Sequence, residues 1–103
     1  TVLDGQPVAA HDYATTIVRG VAVHRVALDE RIASHAHNWT LDRMPTLDRL
    51  LLEMGTYELL HEPEVPLAAV LSEMVELAGQ YSTDDSGRFI NGVLSAVADD
   101  TGR

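Results

Sequence analysis

The chain of 103 residues has no cysteine, no lysine and no initiating methionine. The absence of cysteine excludes disulfides and thiolate metal sites and is typical of cytoplasmic proteins. No apolar run has the length that crosses a bilayer, and the first residues lack the basic flank and apolar stretch of a secretory signal. We therefore expect a cytoplasmic chain, processed or cut from a longer one.

Positive charge is scarce as well. The chain has seven arginines and 16 acidic residues, which gives a formal net charge of −9. Phosphate affinity comes mainly from clustered lysine and arginine, so a chain this acidic is ordinarily a poor nucleic-acid binder. A role in RNA binding would have to be reconciled with this charge.

The apolar residues, 46% of the chain, recur at intervals of three and four and predict four helices. The helices are expected to begin near residues 11, 45, 66 and 86, with prolines at the start of the second and third. The prediction is an all-α fold, a compact helical bundle over residues 11–99. Residues 1–10 are expected to form a flexible N-terminal tail and residues 100–103 a C-terminal tail.

The patterns of catalytic and metal sites are missing. On a helix, His24 and His35 share a face but lie roughly 16 Å apart, too far for one ion. His35 and His37 point to nearly opposite sides, and His61 has no paired ligand nearby in sequence. Adjacent carboxylates occur where helix ends are expected, and no glycine-rich loop follows a strand. We expect no catalytic residue, no metal and no cofactor.

Gly92 stands inside the predicted fourth helix, where glycine costs about 1 kcal/mol relative to alanine. Such a glycine usually marks the close approach of another helix, which we expect here in preference to contact with a ligand.

Several short segments together have the residues, order and spacing of a known family. They are Asn38-Trp39-Thr40-Leu41-Asp42-Arg43, Leu47-Asp48-Arg49, Tyr57-Glu58-Leu59-Leu60, Val65-Pro66, Glu73, Glu76-Leu77-Ala78 and Asp84-Asp85-Ser86-Gly87-Arg88-Phe89-Ile90-Asn91-Gly92-Val93-Leu94. In these segments the chain resembles the NusB family of bacterial transcription antitermination factors, over about residues 12–98. The resemblance implies an all-helical, NusB-like fold of two small subdomains.

The resemblance also implies a function. With NusE, a protein of the small ribosomal subunit, such a factor binds boxA RNA in ribosomal RNA leader transcripts and helps form an antitermination complex with RNA polymerase. Family members carry an arginine-rich N-terminal segment and a helical hairpin ahead of the part present here. Two alternatives stay open: the NusB-like RNA-binding domain of a ribosomal RNA cytosine methyltransferase, and a module that binds proteins alone.

Three residues at the start of the fourth helix match positions that the family uses for RNA. Phe89 would stack on an unpaired base, or else be a core phenylalanine. Asp85 would accept a hydrogen bond from a base amino group. Asp85 or Ser86 would cap the helix, and for Asp85 the two roles can hold together. Arg88 is the candidate for a phosphate contact, or else a solvated arginine.

Asp42 and Asp48 fall where acidic family residues face NusE, and an acidic face suits a basic ribosomal protein. The alternative is an acidic surface without a partner. Trp39 is expected to pack between helices, and a contact with a protein partner is the alternative. Glu53 stands where the family often has arginine, which reverses a charge. If the missing hairpin normally covers part of the apolar face, the chain should also self-associate.

Overall fold

The computed structural model describes residues 8–37, 40–83 and 85–103, with side chains in the first helix from residue 12 onward. The elements are α1 (Val8–Ala33), a short 3₁₀ helix (Leu41–Arg43), α2 (Thr46–His61), α3 (Leu67–Tyr81) and α4 (Ser86–Asp100). No strand occurs in these described ranges, and the predicted all-α bundle is confirmed. The expected packing of Trp39 lies outside the described residues.

The helix boundaries follow local chemistry. Pro45 and Pro66 directly precede α2 and α3, as predicted. The first helix begins at Val8, inside the predicted tail, and ends at Ala33. At that end the Ser34 hydroxyl donates to the carbonyl of Arg31 at 2.7 Å, a local bond that competes with helix continuation.

The second helix lies at the centre of the bundle and contacts each of the other three helices. One core cluster joins α2, α3, α4 and the end of α1, with Ile32, Leu52, Val70, Ile90 and Leu94 fully buried. A smaller cluster lies between α1 and α2 and contains Ile17, Val21, Leu28 and Tyr57. These residues recur at the three- and four-residue spacing that predicted the helices, or they adjoin residues that do.

Three of the apolar residues whose helical spacing predicts a buried face are exposed instead. Tyr13 is 38% exposed, Leu50 is 40% exposed and Tyr81, the last residue of α3, is 70% exposed. The prediction of a buried face is wrong at these positions.

The prediction that another helix approaches closely at Gly92 is also wrong. A methyl group built on Gly92 would meet no atom of the described residues within 4 Å, because this part of α4 faces solvent. The closest approaches lie at two other glycines, where α1 meets α2 and where α2 meets α4. A methyl on Gly20 would overlap the ring of Tyr57, and one on Gly55 would come within 2.7 Å of Leu94.

Arg103, assigned to a C-terminal tail, is bound to the bundle instead. Its guanidinium donates to the carbonyls of Val65 at 2.9 Å, Leu59 at 3.2 Å and Glu62 at 3.2 Å. These carbonyls lie at the end of α2 and in the loop that follows it. The last residues therefore belong to the folded unit.

Candidate nucleic-acid interface

A cavity of about 350 Å³ lies between the start of α2 and the turn from α3 into α4. It brings together residues that are up to 45 positions apart in sequence, and among them are two of the three residues predicted to contact RNA. Its lining consists of Met44, Pro45, Asp48, Thr83, Asp85, Ser86 and Phe89.

Asp48 forms the polar wall of this cavity. Its carboxylate is 4% exposed and accepts hydrogen bonds from the hydroxyls of Ser82 and Ser86, the latter at 2.8 Å. The oxygen of Ser86 also accepts from the backbone N–H of Thr83 at 3.2 Å. A buried carboxylate needs such donors. Asp48 therefore ties the turn before α4 to α2.

This position corrects one expectation about Asp48. The residue does not present its carboxylate on an exposed acidic face, because the two serines hold it inward. Its predicted contact with a protein partner stays a prediction. The sequence showed the acid but not the serines that bind it, which come 34 and 38 residues later.

Asp85 is the residue before α4, but its side chain makes no capping hydrogen bond. The capping alternative for this side chain is wrong, since its backbone at φ −89° and ψ −9° is already helical. The carboxylate is exposed and lines the cavity. It lies where an incoming hydrogen-bond donor would meet it.

Phe89, one turn further along α4, is half-buried. It packs against the main core cluster and also lines the cavity. Its stacking on an RNA base stays a prediction. Arg88 is exposed and is not part of the cavity lining. The structure thus brings Asp85 and Phe89 together and leaves Arg88 on the adjacent surface.

The chemistry of the cavity favours a flat group that donates hydrogen bonds. Phe89 supplies an aromatic surface, Met44 and Pro45 an apolar wall, and Asp85 an acceptor. The two carboxylates repel phosphate. A nucleobase with an exocyclic amino group fits this combination of stacking and acceptance.

Asp42 lies on the 3₁₀ helix next to the cavity wall. Its side chain is 97% exposed, and its nearest cation is the guanidinium of Arg49 at 3.8 Å. An ion pair this exposed is weak, so the carboxylate is available to a basic partner.

Glu53, whose sequence position suggests only a reversed charge relative to the family, lies in a buried ionic network between α1 and α2. It is 3% exposed, and its Oε2 lies 3.5 Å from Arg25 Nε and 3.6 Å from Arg49 Nε. Burial, together with the neighbouring Asp29 carboxylate, raises the pKa of Glu53 to about 7. Asp29 itself accepts a hydrogen bond from Arg49 at 2.9 Å.

The histidines show one pairing that the sequence did not predict. The rings of His24 and His61 stack with centroids 4.5 Å apart, and Tyr57 lies 4.8 Å from His61. Among the described residues, no group of three or more acids, histidines or cysteines is placed to hold a metal ion. Over the same residues, no helix is long and apolar enough to cross a membrane.

Solved structures with this fold include NusB of T. maritima. It is 32% identical, with a TM-score of 0.88, over 95% of this chain and 69% of the other. A crystal structure of antitermination factors NusB and NusE in complex with dsRNA has a TM-score of 0.84 and 28% identity, over 94% of this chain and 71% of that one.

Sequence comparisons agree with the structural ones. Transcription antitermination protein NusB of Salinispora arenicola is 55% identical over 87 residues, 84% of this chain and 64% of the relative. The protein of the same name from Sorangium cellulosum is 47% identical over 91 residues, 88% of this chain and 65% of the relative. The chain thus spans about two thirds of the length of these relatives. A family model described as the NusB family matches residues 4–99, and the chain belongs to this family.

Proposed function

We propose that the protein is a transcription antitermination factor. With NusE it binds boxA RNA in ribosomal RNA leader transcripts and helps form an antitermination complex with RNA polymerase. The observation that carries the proposal is the family match across residues 4–99, because it covers nearly the whole fold. The related structure of NusB with NusE and dsRNA supports both partners.

The proposed RNA contact is the cavity beside α4. Phe89 stacks on one unpaired base, and Asp85 accepts a hydrogen bond from its amino group. Arg88, exposed next to them, contacts the phosphate of the same or the adjoining nucleotide. Stacking and an acceptor at one base give this site a preference among sequences that a phosphate contact alone would lack.

The proposed NusE contact is the acidic surface around the 3₁₀ helix. Asp42 is the exposed member, and buried Asp48 contributes by anchoring the turn before α4 to α2 beside this surface. Ribosomal proteins are typically basic, so opposite charge steers the encounter and fixes its orientation. These two proposed contacts are compatible with a net charge of −9, since one is an acidic protein-binding surface and the other binds a base and not mainly phosphates.

The proposal includes no catalytic step, no metal and no cofactor, and it places the protein in the cytoplasm. The alternative, a NusB-like domain of a ribosomal RNA methyltransferase, is less favoured. The relatives from Salinispora arenicola and Sorangium cellulosum are named as antitermination proteins. A reading frame that continues for hundreds of residues after Arg103 would instead favour the methyltransferase.

The test is binding of boxA RNA and of scrambled RNA of equal length by the full-length protein with NusE. We expect a preference for boxA that F89A and D85N both weaken by about tenfold, a typical loss for one stacked or hydrogen-bonded base. R88A should weaken binding to both RNAs alike. R19A, which removes an exposed arginine on α1, is the matched control and should leave the preference unchanged.

Two outcomes would reject parts of this proposal. Equal affinity for boxA and scrambled RNA would reject the RNA function, and retained NusE binding would then identify a module that binds proteins alone. NusE affinity unchanged in D42N would remove the acidic surface from the partner contact.

A further inference from the structure

The hydroxyls of Ser82, Thr83 and Ser86 form a connected network with the carboxylate of Asp48 in the wall of the cavity beside α4. Each hydroxyl has one hydrogen and two lone pairs, whereas a carboxylate has lone pairs only. The directions of these hydrogen bonds therefore decide whether the wall offers hydrogens or lone pairs to a bound base.

Asp48 accepts the hydrogens of both serines. Ser82 Oγ donates to Asp48 Oδ1, and Ser86 Oγ donates to Asp48 Oδ2 at 2.8 Å. The two serine oxygens lie 3.0 Å from each other, but a hydrogen bond to a carboxylate is roughly twice as strong as one between two hydroxyls. Neither serine therefore has a hydrogen left for another acceptor.

Thr83 donates its own hydroxyl hydrogen inward for this reason. Its Oγ1 lies 2.7 Å from Ser86 Oγ, and one of these two oxygens supplies the hydrogen between them. Because the hydrogen of Ser86 is bound to Asp48, Thr83 supplies it. Ser86 Oγ then accepts from both the N–H and the hydroxyl of Thr83, which fills its two lone pairs. The hydroxyl of Thr83, a residue that lines the cavity, retains lone pairs alone.

The other polar groups of the cavity are acceptors as well, or have their hydrogens engaged. Asp85 contributes an exposed carboxylate. The backbone N–H groups of Met44, Ser86 and Phe89 donate to nearby backbone carbonyls, and Pro45 has no N–H. Among the described residues that line the cavity, no side chain therefore has a hydrogen left to donate.

We propose that Thr83 is a specificity-determining residue of this cavity, which accepts a base with an exocyclic amino group and rejects uracil. The inference rests on the proposed RNA contact at Phe89 and Asp85. Adenine, cytosine and guanine each have an amino group that can donate to Thr83 or Asp85. The one N–H of uracil lies between two carbonyls, so it reaches an acceptor of the wall only by bringing an oxygen lone pair against another acceptor.

Cytosine and uracil give the sharpest comparison of an amino group with a carbonyl. Their rings have the same size and stack alike on Phe89, and cytosine has an amino group where uracil has an oxygen. A carbonyl oxygen that leaves water for this wall loses its hydrogen bonds and gains none. We therefore expect the cavity to bind cytosine at least about tenfold more tightly than uracil, the discrimination of one well-placed base contact.

The first step of the test locates the stacked nucleotide in boxA RNA that is bound by the full-length protein with NusE. Each nucleotide in turn is replaced by an abasic one, and fluorescence anisotropy measures the affinity of the unchanged protein and of F89A. The stacked nucleotide is the one whose base matters to the unchanged protein and not to F89A. If no nucleotide behaves in this way, the proposed RNA contact fails, and this inference fails with it.

The second step places cytosine or uracil at that nucleotide. T83V removes the acceptor with little change of shape and should reduce the preference for cytosine at least about threefold. S86A removes the acceptor of the Thr83 hydroxyl and so frees its hydrogen for a carbonyl. This variant should bind the uracil RNA at least about threefold more tightly than the unchanged protein does. S72A, which removes an exposed hydroxyl on α3, is the control and should change neither affinity.

The gain for uracil in S86A separates specificity from stability, because damage to the turn can only weaken binding. The double variant T83V/S86A should lose this gain, since the freed hydrogen is gone. A preference for cytosine that T83V leaves unchanged would overturn the role of Thr83, and so would weaker binding of uracil RNA by S86A. Equal binding of cytosine and uracil by the unchanged protein would overturn the inference and leave the RNA contact at Phe89 in place.

Discussion

Arg103 and Val65 lie 38 residues apart in sequence and are joined by a hydrogen bond of 2.9 Å from the guanidinium to the backbone carbonyl. The same side chain donates to the carbonyls of Leu59 and Glu62. The last carbonyls of a helix have no partner within the helix and carry partial negative charge. Arg103 thus donates hydrogen bonds to carbonyls at the end of α2 that the helix itself leaves without a partner.

This relationship predicts that R103A destabilises the fold by about 1.5–3 kcal/mol, the range for hydrogen bonds made by charged groups. R103K should recover part of the loss, because it keeps the charge but not the planar fork of donors. Urea unfolding followed by circular dichroism measures both. Equal stability of R103A and the unchanged chain would show that water replaces the guanidinium at no cost.

The buried Glu53 predicts a dependence of stability on pH. Its pKa is about 7 in the folded chain against an ordinary 4.5, so between these values the folded state binds more protons than the unfolded state. The contribution of protonated Glu53 is complete below about pH 4.5. It is lost as the pH rises to about 7, at a total cost of about 1–3 kcal/mol.

The substitution E53Q should remove this part of the pH dependence, since glutamine keeps the shape without the charge. At about pH 8 the variant should unfold at higher urea concentration than the unchanged chain, and near pH 5 the two should be similar. E76Q, an exposed change on α3, controls for the loss of one acidic residue. A variant that is less stable at about pH 8 would mean that the ion pairs with Arg25 and Arg49 outweigh the burial of the charge.

The sequence predicted the four helices because their apolar stripes are local patterns. Ile17, Val21, Leu28 and Ile32 recur at helical spacing and are all buried. It could not predict the contacts between distant elements, such as Ser86 on Asp48, because nothing local marks which acid two serines will bind. The lining of the cavity could be anticipated only in part for the same reason. Asp85 and Phe89 lie one turn apart at the start of one helix, whereas the wall that faces them comes from the start of α2.

The glycines also show that contacts between distant elements cannot be predicted from the sequence, and they give a prediction that compares two substitutions. Gly92 is exposed with open space around it, so G92A should stabilise the chain by about 1 kcal/mol through helix propensity. G55A should destabilise it, because the new methyl would press on Leu94 and Met74 in the core. Thermal unfolding of the two variants compares them directly. A loss of stability in G92A would mean that this position contacts something outside the described chain.

The hydrogen bonds of Asp48 predict that its carboxylate organises the site as well as the fold. D48A would leave the hydroxyls of Ser82 and Ser86 without their buried acceptor and should cost about 1–3 kcal/mol. D48N keeps the shape and one acceptor oxygen, so it should cost less. D42N, a change at a fully exposed carboxylate on the neighbouring 3₁₀ helix, should leave stability within about 0.5 kcal/mol.

Exchange of amide protons in the turn before α4 distinguishes a role of Asp48 in shaping the site from a role in global stability alone. In D48A the N–H of Thr83, which donates to Ser86, should exchange faster than expected from the global loss of stability, because Ser86 has lost its anchor. In D48N its protection should fall only in proportion to that loss. If Thr83 stays fully protected in D48A, the turn holds its shape by itself, and Asp48 is a buried acid that the site does not need.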